Sequence, residues 1–260
     1  MNLRHSSRTQ QRLATSVLLC LCLAMLLTAC GGSGEKTVAT VGKTKLSQAT
    51  LSHWMQTTLG GDYHAELNTS APQGLVSDPV NYPRCIKVAA QIAPRAAGTK
   101  PNASELRLRC RQLNAGIKQQ ALGYVLSVLW AIEEGNELGL HVSEGEVTRR
   151  MRQLADRDYH GPVQFAKTLA SLRRTVADER FLVKRNILED LYLKRIKNKA
   201  AALGGGQKAE TKLILENNAK WNARTICSPG YVAWECKGYT PAEEVSPAPA
   251  DVLGALQAGT

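Results

Sequence analysis

Apolar residues recur along this chain at steps of three and four, the spacing of one face of an α-helix. Leu51, Trp54, Met55 and Leu59 trace a first stripe, with Ser47 placed as its N-cap and Gly60-Gly61 as its expected stop. Leu106, Cys110, Leu113, Ile117, Ala121, Tyr124, Val128 and Ile132 trace a longer one, widened by Val125 and Leu129. That width predicts a core helix from about Ser104 to a stop at Gly139. Ser143-Glu144-Gly145-Glu146 reads as a capping box ahead of Val147, Met151 and Leu154. Pro162 suits a first helical turn before Phe165, Leu169 and Leu172. Thr175 and Asp178 repeat the capping pattern before another long helix ending near Leu203. Val176, Val183, Ile187 and Leu191 are expected inward on it, with Phe181 and Leu188 beside them. Beyond Gly204-Gly205-Gly206, residues 210–221 predict a last helix with Leu213, Leu215 and Trp221 apolar.

Little of the chain alternates with period two. "TVATVGKTKLS", residues 37–47, reads as a short strand, a turn at Gly42 and a very short partner. "TICSPGYVAWECKGY" gives two short segments around Ser228-Pro229-Gly230. Residues 62–102 hold five prolines and read as an irregular insertion, and residues 240–260, rich in Pro and Ala, as a disordered tail. The expected fold class is therefore mainly α: a helical bundle with a short N-terminal β element and a small disulfide-closed C-terminal segment.

The first 29 residues follow a different logic. Residues 1–12 carry three arginines and no acid, and residues 14–29 are sixteen uncharged, mostly apolar positions. At 1.5 Å per residue this falls short of the roughly 30 Å hydrocarbon core, so a secretory signal peptide is the better reading. Leu27-Thr28-Ala29-Cys30 resembles a bacterial lipobox, and Gly31-Gly32-Ser33-Gly34 follows as a flexible tether. The resemblance implies lipidation of the Cys30 thiol, cleavage before Cys30 and acylation of the freed amine. Several acyl chains at about 0.8 kcal/mol per buried CH₂ would hold the protein permanently on the extracytoplasmic face of the cell membrane.

The full chain has 33 Lys and Arg against 22 Asp and Glu, a net +11; without the three leader arginines the net is +8. A positive protein at a membrane is drawn to anionic head groups. The basic residues lie along helices without aromatic interleaving, so no nucleic acid is expected as partner. Four cysteines remain beyond the anchor, Cys85, Cys110, Cys227 and Cys236. They allow three pairings, of which the local one, Cys85 with Cys110 and Cys227 with Cys236, is expected for an exported chain. A zinc site is disfavoured because no C-x-x-C pair or neighbouring histidine is present. His53, His64, His141 and His160 fall singly, and nucleophile-elbow, zincin, phosphate-loop and dinucleotide motifs are lacking. The sequence offers no catalytic constellation, no metal ligands and no small-molecule cofactor site.

Three stretches together resemble the N-terminal chaperone domain of SurA-like and PrsA-like bacterial foldases. They are "VATVGKTKLSQATLSHWM" from Val38, "LSVLWAIEEGNELGLHVSEGEV" from Leu126 and "FAKTLASLRRTVADERFLVKRNILEDLYLKRI" from Phe165. The end, "KWNARTICSPGYVAWECKGY", is similar to the disulfide-closed tail of actinobacterial lipoproteins in this group. The parvulin-type isomerase domain of many relatives has no room here, since only residues 203–209 occupy its place. The resemblance implies a helical chaperone domain over residues 37–203, then a helix and cysteine hairpin over 207–239. Its expected partners are unfolded or newly secreted polypeptides, with Trp54, Met55, Trp130 and Phe165 as candidate client contacts. Two alternatives stand beside it: a peptidyl-prolyl isomerase with a reduced or atypical site, and a structural envelope lipoprotein that binds one partner.

Overall fold

The computed structural model describes residues 35–76, 80–92 and 102–240. The leader, Cys30, the glycine tether and the chain beyond Thr240 lie outside them. Seven helices and three short strands make up the described residues. They are β1 (Thr37–Val41), β2 (Thr44–Ser47), α1 (Gln48–Leu67), α2 (Pro83–Ile92), α3 (Ala103–Glu137), α4 (Glu144–Asp158), α5 (Pro162–Ser171), α6 (Val176–Ala202), α7 (Gly206–Ala223) and β3 (Thr225–Cys227).

The sheet has the order β2-β1-β3 and is antiparallel throughout. Gly42, at φ 56°, takes the left-handed conformation that turns β1 into β2. β1 then pairs with the far end of the chain: Ala39 lies opposite Cys227 and Val41 opposite Thr225. Val38, Ala39 and Val41 are fully buried beneath the helices, which is why so short a strand persists.

Local capping fixes the helix starts. The Ser47 hydroxyl accepts from the Thr50 amide at α1. Asn102 and Glu105 form a reciprocal capping box at α3, as Thr175 and Asp178 do at α6. At α4 only half of the expected box forms: Ser143 accepts from the Glu146 amide, while the Glu146 carboxylate turns to Arg149 and Arg150.

Several expectations are corrected. α1 runs through Gly60-Gly61 to Leu67 and ends at Asn68 in the left-handed region. A Cβ at Gly60 would stand 2.5 Å from the Leu172 carbonyl oxygen, so this glycine marks a close approach of α5's end rather than a stop. The insertion holds α2, whose first residue is Pro83, a position where the missing N–H costs nothing. α7 opens already at Gly206. Val176, in the first turn of α6, and Leu191, on its outer face, are exposed rather than inward.

Two apolar cores result. The larger gathers β1, α1, α2 and α3 with Leu182, Trp221, Ala233 and Cys236. The smaller gathers Val147, Met151 and Ala155 of α4, Phe165 and Leu169 of α5, and Val183 and Ile187 of α6. α6 thus serves both, and it approaches α3 closely at Gly135, where a Cβ would meet Leu188 at 2.8 Å. Disulfides join Cys85 to Cys110 and Cys227 to Cys236, the local pairing, with Cα separations of 5.9 and 5.6 Å. The first straps α2 to α3; the second closes the terminal segment, whose Lys237 amide donates to the Thr225 carbonyl at 2.8 Å.

Candidate functional site

The periodicity that buries α1 also leaves one edge of it uncovered. Gln48, Leu51, Ser52, Met55 and Gln56 recur at three and four along that edge, facing Asn114 and Lys118 one turn apart on α3. Val76 and Tyr231 complete a groove of about 510 Å³, within the usual range of binding clefts. Leu51, Met55 and Val76 give it an apolar floor, and amide, hydroxyl and ammonium groups give it a polar rim.

The terminal disulfide segment forms one wall. Lys118 Nζ donates to the Gly230 carbonyl at 3.0 Å and lies 5.4 Å from the centre of the Tyr231 ring. Burial pulls this ammonium below the usual lysine value, since the charged form loses hydration there. The opposite wall is braced from the turn between α5 and α6 and from the first turn of α6. Arg173 donates to the Gln56 side-chain oxygen and, at 2.6 Å, to the Ala71 carbonyl, while Gln56 donates to the Val76 carbonyl. His53 Nε2 lies 2.8 Å from Asp178 Oδ1. Burial pushes the Asp178 carboxyl up, but hydrogen bonds from Thr175 and His53 outweigh it and hold the group below the usual aspartate value. Gln48, Ser52 and Asn114 make no side-chain hydrogen bond among the described residues, so their polar groups are available to a ligand.

The four candidate client contacts are scattered and buried. Trp54 packs between α1, α3 and α6, its ring 5.7 Å from Tyr124 and 6.0 Å from Phe181. Phe165 lies in the smaller core, 5.2 Å from the Tyr159 ring. Trp130 is buried and donates through Nε1 to Thr225 Oγ1 at 2.7 Å. Met55 alone reaches the groove, as part of its floor. The residues that line it and escaped sequence reasoning are Gln48, Ser52, Gln56, Val76, Asn114, Lys118 and Tyr231. The only sequence signal was polar positions flanking two apolar stripes.

Among the described residues no three His, Cys, Asp or Glu side chains gather in a metal-binding group. No described helix is long and apolar enough to cross a membrane. Compared with known proteins, the chain matches no family model, no curated protein and no solved structure.

Proposed function

We propose that this protein is a membrane-anchored, extracytoplasmic chaperone of the SurA-like kind, holding unfolded or newly exported polypeptides, with the groove beside α1 and α3 as the place where a client segment lies. The observation that carries the reading is the groove's chemistry. Its floor takes apolar side chains, and the uncommitted amides of Gln48 and Asn114 can each donate to and accept from an extended peptide backbone. Such contacts read no particular side chain, which suits a holder of varied chains. The lipid anchor at Cys30 would keep that groove where exported chains emerge.

The test is suppression of aggregation of a thermally unfolded client, with the protein carrying both disulfides. Ser52→Trp and Asn114→Trp, which fill the groove from its rim, are expected to weaken suppression about tenfold, one to two kcal/mol of lost contact, with unchanged thermal melting. No suppression by the parent protein, or full suppression by both variants, rejects the reading. Crosslinking in cells that returned a single dominant partner would favour the structural-lipoprotein alternative. Turnover of a proline peptide, abolished by a point substitution, would favour the isomerase.

A further inference from the structure

A second concavity, of about 200 Å³, opens between α3, α6 and α7, and shares no lining residue with the groove. Its aromatic wall is Trp130, with Trp234 set edge-on at 5.4 Å between ring centres. Trp130 spends its N–H on Thr225 and therefore offers only its ring. Trp234 is 53 % exposed, which leaves its ring within reach of a ligand.

The polar side of the pocket is incompletely satisfied. The Tyr192 hydroxyl and Arg185 Nε are both buried and without a hydrogen-bond partner. Arg185 uses Nη1 on Glu189 at 2.8 Å and on Asn186 at 3.0 Å, leaving Nε uncommitted. Burial, and then the Glu134 charge, push the Tyr192 phenol up to about 12, so it remains an O–H donor at any physiological pH. Asn217 and Asn218 bring two further amide groups that make no side-chain hydrogen bond among the described residues.

The balance of charge narrows the ligand. Glu134 and Glu189 line the pocket beside one arginine, which disfavours an anion. The two unmet buried groups are donors, which disfavours a cation. A purely apolar side chain would leave both donors dry and unpaired. A ligand that fits carries hydroxyl or carbonyl oxygens around a compact ring and an apolar C–H face for an indole. We infer that this pocket binds one ring of a neutral saccharide. Tyr192 and Arg185 donate to its oxygens, Asn217 and Asn218 bridge its hydroxyls, and Trp234 covers its C–H face. The inference is independent of the client groove.

The experiment uses the disulfide-bonded protein and a panel of maltotriose, cellotriose and tri-N-acetylchitotriose. It reads tryptophan fluorescence and saturation-transfer NMR. At least one sugar should give a saturable response with Kd tighter than about 10 mM. Tyr192→Phe should weaken that binding about tenfold, the loss of one buried hydrogen bond. Trp234→Ala, at an exposed position, should weaken it and remove the fluorescence response while melting is unchanged. No saturable binding by any of the three sugars overturns the inference. So does binding that Tyr192→Phe leaves unaltered, or displacement of the sugar by the uncharged dipeptide amide acetyl-Leu-Phe-NH₂ with equal affinity for parent and Tyr192→Phe.

Discussion

The two cores of this protein are built from the same kind of helix and held by different means. The larger one surrounds α3, and both disulfides join its parts: Cys85 to Cys110 across α2 and α3, Cys227 to Cys236 within the terminal segment. Polar bonds to α3 reinforce it. Buried Glu134 accepts from Trp221 Nε1 at 2.7 Å and from Lys220, and Glu137 meets Lys220 at 3.1 Å and Arg224 at 2.5 Å. The smaller core has seven buried apolar residues from α4, α5 and α6 and no disulfide. Around it run exposed ion pairs such as Arg149–Glu146 and Arg180–Glu144, a kind worth less than about 1 kcal/mol each. A core that small is marginal by itself. It persists because α6 belongs to both cores and because α5 ends against Gly60 of α1.

That contrast can be broken at four points. Phe165→Ala should cost the most, about 3–5 kcal/mol. Hydrogen exchange should then rise in α4 and α5 before α3 opens. A single transition across the molecule would show instead that the two cores unfold as one. Replacing Cys85 and Cys110 together by alanine removes a closed loop of about 26 residues, worth roughly 3.5 kcal/mol. The loss should appear as a lower denaturant midpoint for α2 and α3, with exchange in α4 unchanged. Gly60→Ala drives a Cβ into the Leu172 carbonyl and should cost about 1–3 kcal/mol. Gly61→Ala, with nothing within 4 Å of its Cβ, should be neutral or stabilise by about 0.5–1 kcal/mol. Equal melting of the two variants would remove Gly60 as the joint.

The smallest effect concerns a buried acid, Glu235, beside the larger core. Glu235 is 2 % exposed, its Oε2 has no hydrogen-bond partner, and that oxygen would stand 2.9 Å from a Cβ at Gly123. Burial pushes its carboxyl above the usual glutamate value, partly offset by a backbone hydrogen bond. The folded protein therefore binds this proton more tightly than the unfolded chain. The stabilisation is full below the ordinary glutamate range and is lost as pH rises through the raised value. Glu235→Gln should flatten that dependence and raise stability at pH 7, read as melting temperature against pH. A pH profile identical to the parent's would clear Glu235 of the cost.

What the sequence made legible was local. The caps at Ser47, Ser143 and Thr175 are visible because a hydroxyl and an amide three residues on need no tertiary partner. The stripe of α3 is visible because burial on one side repeats with the helix. α2 stayed hidden among prolines, although Cys85 and Ala89, its buried residues, stand four apart behind Pro83. Gly60 looked like a breaker because close packing against Leu172 lies 112 positions away in sequence. Thr225-Ile226-Cys227 reads locally as one arm of a cysteine hairpin, but its strand partner is β1, far away in sequence. The groove was illegible for the same reason: its rim joins α1, α3 and Tyr231, which meet only in three dimensions.

The pairing of β1 with β3 also sets a timetable. Thr37 is among the first described residues and Cys227 among the last, yet the Ser228 hydroxyl donates to the Thr37 carbonyl at 2.9 Å. A ribosome delivers the amino end first, so β1 waits through nearly two hundred residues of synthesis with one flank of its sheet open. Closing so long a separation is slow. A nascent chain of this protein therefore keeps its sheet unfinished until residues 225–227 have been made.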